Sequence, residues 1–261
     1  MNEFVAKGKI NLNLKVLSKR DDGYHNIESI MSELSFGDIL RIKKSSCCDS
    51  FSCNIRELNR DNLVLKALSI LRDGYRVPPL EISLEKHLPL ASGMGGGSSD
   101  AAKFILAAKE ICDLPMTRDD IFEICRRLGM DVSFFVDGGL QIARERGDVL
   151  EKIDGTRRDI LVVYNGPSYS KNVYGLMTKD DFSSGLNNDL LRPVLDNNLE
   201  LKKFYEYILQ FADFKMTGAG GAFYIIDELA KLQELEGKIQ ASYKKMGNLL
   251  VPIGEKYEFN Y

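Results

Sequence analysis

The sequence predicts an α+β chain of two domains: a mixed α/β region over residues 1–155 and a ferredoxin-like α+β region over 156–261. Three observations carry that expectation. Apolar side chains alternate at Ile10, Leu12, Leu14 and Val16, the period of a half-buried strand. The glycine-rich stretch "LPLASGMGGGSSDAA" (88–102) begins like a loop and ends like a helix. Beyond the polar segment "DGTRR" (154–158), β-like and helical runs follow in the order of a split β-α-β unit with an added short helix.

In chain order, the first strand leaves Lys9, Asn11, Asn13 and Lys15 to share its other, polar face. "KRDDGYHN" carries an Asp-Gly turn signal, and short β-like runs follow at 27–34, 38–43 and 80–85. "DNLVLKALSILRDGY" has apolar residues at helical spacing behind an aspartate cap. After the glycine loop, "DAAKFILAAKEIC" is rich in helix formers, and "TRDDIFEICRRLG" opens with a capping-box pattern and stops at glycine. Residues 138–153 return to strand character. Then "DILVVYN" reads as a strand, "SKNVYGLM" and "NLELKKFYEYILQF" as helices, and "FKMTG" and "AFYIID" as strands around a glycine turn. "ELAKLQELEGKIQASY" reads as a helix and "NLLVPI" as a last strand.

The 261 residues are 44% apolar, enough for a full core. Thirty-five basic against 38 acidic side chains give a net charge of −3, which supplies no general attraction to nucleic acid or to an anionic membrane. Any phosphate binding must therefore be local. No window approaches 18 uncharged apolar residues and the N-terminus lacks the layout of a secretory signal, so a cytoplasmic chain is expected. The five cysteines (Cys47, Cys48, Cys53, Cys112, Cys125) are odd in number and form no C-x-x-C pair, which points to reduced, mostly apolar side chains.

A glycine-rich turn feeding a helix presents unpaired backbone N–H groups and the positive end of the helix dipole to an anion. Ser98 and Ser99 add hydroxyl donors, or a ligand for Mg²⁺. The stretch is neither of two common phosphate motifs. No G-x-x-x-x-G-K-[ST] exists, and G-x-G-x-x-G fails because the last position counted from Gly93 and Gly95 is Ser98. Protein-kinase H-R-D and D-F-G elements are also missing from the sequence.

Three segments, "GKINLNLKV" (8–16), "PLASGMGGGSSDAA" (89–102) and "MTGAGGAFY" (216–224), together resemble the three ordered motifs of the GHMP kinases. That family includes galactokinase, homoserine kinase, mevalonate kinase and phosphomevalonate kinase. The extended unit "GKINLNLKVLSKRDDGYHNIES", with "DNLVLKA", "LGMDVSFF" and "NDL" (188–190), is most similar to the branch that acts on a cytidine-bearing acceptor in the non-mevalonate isoprenoid route.

The resemblance implies a two-domain GHMP kinase fold and ATP-dependent phosphorylation of a small-molecule hydroxyl. Mg²⁺ is implied by ATP chemistry, with its ligands unassigned. The loop Pro89, Leu90, Ala91, Ser92, Gly93, Met94, Gly95, Gly96, Gly97, Ser98 and Ser99 would wrap the ATP phosphates, and Asn62 and Lys86 match positions turned toward adenine. Asp131 matches the family's general base and Lys9 its partner, which would keep the carboxylate ionised and orient the hydroxyl. Ser133 stands where the family usually has proline. Tyr24, His25 and Tyr174 match the cytosine-binding aromatic positions, while Asn11, Gly218 and Gly220 complete the acceptor site. His87 has no such match and is taken as structural. The expected partners are ATP and the acceptor alone, with no nucleic acid or membrane, on a monomer or weak homodimer. Two alternatives stay open: a homoserine- or mevalonate-type kinase, and a catalytically silent binding protein of the same fold.

Overall fold

Glycine and alternation signals translate into a chain that crosses repeatedly between strands and helices. The computed structural model describes residues 1–156, 158–243 and 250–251. Its first half runs β1 (Asn2–Asn11), β2 (Lys15–Lys19), β3 (His25–Lys44), β4 (Ser50–Cys53), α1 (Leu63–Gly74), β5 (Leu80–Glu85), α2 (Gly96–Cys112), α3 (Arg118–Leu128) and α4 (Phe134–Asp137). Then come β6 (Leu140–Glu145), β7 (Val149–Lys152), β8 (Ile160–Tyr164), α5 (Ser170–Leu176), α6 (Leu191–Asn197) and α7 (Leu199–Ile208). Last are β9 (Lys215–Met216), β10 (Ala222–Ile226), α8 (Leu229–Tyr243) and β11 (Leu250–Val251). Among the described residues no helix is long and apolar enough to cross a membrane.

These elements group into two compact units that interleave along the sequence. The first comprises Met1–Gly8, Phe36–Leu88 and Gly95–Gly138; the second comprises Lys9–Ser35, Pro89–Met94 and the chain from Gly139 on. This grouping follows spatial contacts and cuts the chain differently from the 155/156 boundary expected from composition.

In the first unit, β5 pairs antiparallel with the second half of β3, from Ile39↔Glu85 to Lys44↔Leu80, and parallel with β4. Leu40, Ile42, Leu80, Ile82 and Leu84 form one buried sheet face by the period-two rule. Helix α2 buries Ala101, Ala102, Phe104, Ile105, Ala107 and Ala108. Its small residues leave room for close helix neighbours. Helix α3 has the expected capping box, Thr117 with Asp120. Helix α1 is capped by Asn62 rather than by the expected aspartate, its side chain accepting from the Leu65 N–H at 2.9 Å.

In the second unit, the first half of β3 lies between β2 and β6, with β7 outside β6. The strands from β8 onward form a separate antiparallel sheet ordered β11-β8-β10-β9. Numbered within that region the order is 4-1-3-2, and with α5–α7 and α8 as crossovers it is the ferredoxin-like arrangement expected from the sequence. The apolar run of β8 is buried on both faces. Leu161, Val163, Phe204, Phe214 and Phe223 share a core with Leu14, Val16 and Ile27. Of the expected last strand "NLLVPI", only Leu250 and Val251 lie among the described residues.

One expectation changes in kind. The polar face of the first strand was expected opposite a buried apolar face, yet Lys9 and Asn11 are themselves buried, at 3% and 2% exposure. Charge and amide at such positions require partners.

Candidate active site

The second unit supplies the first half of the glycine loop. Gly93 (φ +82°) and Gly218 (φ +55°) occupy left-handed backbone, and the turn at 217–221 packs directly on residues 91–93. A methyl group added at Gly93 would lie 2.3 Å from the Thr217 carbonyl oxygen, and one at Gly221 2.8 Å from that of Ala91. Only glycine allows this backbone-on-backbone approach. The Ala222 N–H donates to the Ser92 carbonyl at 3.0 Å and so knits the two turns together, while the Gly220 N–H closes the second turn on the Thr217 carbonyl at 3.1 Å.

Lys9 and Asn11 attach to both turns. The Lys9 N–H donates to the Met94 carbonyl at 2.9 Å, and its ammonium donates to Asn11 Oδ1 at 2.6 Å. The Asn11 N–H donates to Thr217 Oγ1 at 2.9 Å and its amide to Ser29 Oγ at 2.7 Å. Asn188 supports the second turn, its amide donating to the Met216 and Gly218 carbonyls at 3.1 and 2.8 Å. Asp189 Oδ2 accepts from the N–H groups of Val16 and Ser183, and Oδ1 from the N–H and hydroxyl of Ser184. The "NDL" segment is thus a brace made of side chains aimed at backbone.

At the β2–β3 turn, Tyr24 is about half exposed and His25 is buried. The His25 ring stacks on Tyr174 with centroids 5.2 Å apart and meets the edge of Phe182 at 5.9 Å. Burial, aided by Lys19, lowers the His25 pKa, which favours neutral imidazole. The Arg146 guanidinium lies 5.7 Å from the Tyr24 ring centroid.

The first unit holds the remainder of the loop. Gly95 (φ +69°) is the N-cap of α2, so the helix begins inside the glycine tract rather than at Asp100. The Ser99 hydroxyl donates to the Lys7 carbonyl at 2.6 Å and is buried. Its bond to the fold distinguishes it from the more accessible Ser98. Asp131, partly buried, sits in the short 3₁₀ turn Met130–Val132 after α3. Ser133 has φ −60°, which proline also adopts, and its buried hydroxyl has no hydrogen-bond partner. His87 makes an exposed contact with Glu85 at 3.3 Å.

Two acidic residues missed by the sequence reading stand beside the loop. The Lys86 ammonium pairs with Asp38 and, at 2.6 Å, with Asp100; all three side chains are at most 4% exposed. Burial pushes the Asp100 carboxyl up to about 8, with Lys86 opposing and Asp38 adding to the rise. Burial works against the Lys86 charge as well, but the two carboxylates outweigh it and raise its pKa. A signal existed for both acids. Asp38 shares the inward face of β3 with Leu40 and Ile42, and Asp100 shares the buried stripe of α2 with Phe104, Ala107 and Ala108. A charge on an apolar face asks for a partner.

Comparison with known proteins places this architecture. The solved structures most relevant here are kinases. A 4-(cytidine 5'-diphospho)-2C-methyl-D-erythritol kinase superposes with a TM-score of 0.80 at 24% identity, covering 100% of both chains. The mevalonate kinase of Methanococcus jannaschii superposes with a TM-score of 0.64 at 15% identity, over 92% of this chain and 95% of that one. The fold is therefore that of the GHMP kinases, and the family signature "GHMP kinases N terminal domain" matches residues 62–139.

Among curated relatives, a 4-diphosphocytidyl-2-C-methyl-D-erythritol kinase of Thermoanaerobacter pseudethanolicus is 37% identical over 183 residues, 69% of this chain and 63% of that protein. The matched stretch thus spans less than two thirds of that relative. One from Francisella philomiragia is 30% identical over 267 residues, 94% of each chain. The chain belongs to the GHMP kinase family, in the branch of the 4-diphosphocytidyl-2-C-methyl-D-erythritol kinases.

Proposed function

We propose that this protein transfers the γ-phosphoryl group of ATP to the 2-hydroxyl of 4-diphosphocytidyl-2-C-methyl-D-erythritol, giving the 2-phosphate and ADP in the non-mevalonate route to isoprenoids. Family membership supports the kinase chemistry. The observation that carries the choice of acceptor is the aromatic group at the β2–β3 turn, where His25 stacks on Tyr174 beside a half-exposed Tyr24. Flat rings around a neutral imidazole suit a pyrimidine, which offers both a stacking face and a hydrogen-bonding edge. Mevalonate and homoserine have no such ring.

In this reading, the loop at 89–99 holds the ATP phosphates through its backbone N–H groups, with Asn62 toward adenine, while Lys86, its ammonium held by Asp38 and Asp100, shapes that side rather than bonding the base. Gly218, Gly220 and Asn11 complete the acceptor side. Asp131 takes the proton of the attacking hydroxyl, and Lys9 holds charge near the reacting groups. Mg²⁺ would neutralise charge on the ATP phosphates. Its donors fit best as nucleotide oxygens with the Ser98 hydroxyl, because the Ser99 hydroxyl is bound to Lys7 and Mg²⁺ typically takes only one or two protein ligands. Residues 1–155 and 156–261 serve as the family's N- and C-terminal domains in a cytoplasmic monomer or weak homodimer that binds no nucleic acid.

Steady-state kinetics of Lys9→Ala and Asp131→Ala test the assignment. Each is expected to lower kcat by at least ~10²-fold with modest change in nucleotide affinity. Turnover at the wild-type rate in either variant refutes that residue's role.

A further inference from the structure

The Asp38–Lys86–Asp100 cluster does more than balance charge, because it links the chain on the two sides of the glycine loop. Asp38 Oδ1 accepts from the N–H groups of His87 at 2.6 Å and Leu88 at 2.8 Å, immediately before the loop. Its other oxygen pairs with the Lys86 ammonium, which reaches Asp100 on the first turns of α2, immediately after the loop. The peptide groups of Lys86 are held in turn by Asn54, whose Oδ1 accepts from the Lys86 N–H at 2.8 Å and whose amide donates to its carbonyl at 3.0 Å. Gly96 closes the arrangement: a Cβ there would lie 3.2 Å from Lys86 Nζ and 3.3 Å from Asp38 Oδ2.

We propose that Asp38 is a positioning residue for the nucleotide: through Lys86 and Asp100 it clamps the chain on both flanks of the glycine loop and so fixes the loop's backbone donors for the phosphates of ATP. The proposal rests on the reading of residues 89–99 as the ATP loop. The two acids are unequal in it. Asp38 serves two backbone N–H groups and the ammonium, whereas Asp100 accepts from the ammonium alone and its Oδ1 has no partner. An amide at Asp100 can still accept from Lys86, so Asp100→Asn should be tolerated. Removal of Asp38 frees the loop's upstream flank and strands a buried ammonium.

The test measures binding of a non-hydrolysable ATP analogue with Mg²⁺ by calorimetry, acceptor KM and kcat at saturating ATP, and the melting temperature. The variants are Asp38→Ala, Asp38→Asn, Asp100→Ala and Asp100→Asn. Folded Asp38→Ala is expected to bind the analogue at least ~10-fold more weakly while acceptor KM and kcat at saturating ATP stay within about 2-fold. Asp38→Asn, which keeps an acceptor for the two N–H groups, should recover part of that loss, and Asp100→Asn should stay near wild type. If Asp38→Ala does not fold, Asp100→Ala must show the same split between nucleotide and acceptor. Unchanged analogue binding in the folded variant overturns the clamp, as does a parallel loss of both affinities that follows the melting temperature. Failure of the wild-type chain itself to bind the analogue would instead overturn the reading of the loop.

Discussion

The glycine loop is held by opposite means on its two sides. Residues 91–93 rest on the 217–221 turn, backbone against backbone, and that contact exists because four glycines, Gly93, Gly218, Gly220 and Gly221, leave out a side chain and take positive φ. The flanks at 86–88 and 96–100 are instead held by two acids and a lysine almost without solvent. The first device fails if an atom is added, the second if a charge is removed. A neutral steric contact is insensitive to pH and salt, whereas a buried ionic cluster is stable only with its charges matched.

Three substitutions sharpen this contrast. The largest effect is expected for Asp38→Ala, which leaves a buried ammonium short of its main partner and should cost about 3–5 kcal/mol of unfolding free energy in denaturant titrations. Gly93→Ala comes next, at about 2–4 kcal/mol, since a methyl must force two backbone turns apart at a positive φ. Unlike Asp38→Ala, its cost should not change with pH.

At acid pH the smallest effect is expected for Asp100→Asn, whose mark is instead a change with pH. The Asp100 carboxyl titrates near 8 in the folded protein against an ordinary 3.8, chiefly because it is buried. Between those values the folded state alone keeps this proton, so the stability it contributes is complete below the ordinary value and is lost as pH rises toward 8. Asp100→Asn should therefore gain in melting temperature relative to wild type as pH rises from about 4 to about 8. A constant difference across that window would show that Asp100 is ionised throughout.

The same contrast explains what the sequence made legible. Glycines at 93, 95, 218 and 220 announce tight turns by residue type, and Thr117 with Asp120 announces a helix start, because those effects are local in the chain. The pairing of Asp38 with Lys86 and Asp100 joins residues 48 and 14 positions from the lysine, and only the misplaced charge on each apolar face hints at it.

The β-like runs expected separately at 27–34 and 38–43 are one strand: β3 runs unbroken from His25 to Lys44, and Gly37 within it marks no break. Gly37 is required by close packing instead: a Cβ there would lie 2.0 Å from the Ala6 carbonyl oxygen. The burial of Lys9 and Asn11 was hidden for a related reason. Alternation predicts two faces for a strand, but it does not say that both will be covered.

The central claim is the acceptor. Steady-state kinetics of the wild-type chain with ATP and, in parallel, 4-diphosphocytidyl-2-C-methyl-D-erythritol, mevalonate and homoserine test it most directly. The cytidine-bearing alcohol is expected to be used with kcat/KM at least ~10²-fold above either rival, because neither carries the flat ring that the proposed site around Tyr24, His25 and Tyr174 would hold. Equal or better turnover of mevalonate or homoserine would contradict the account.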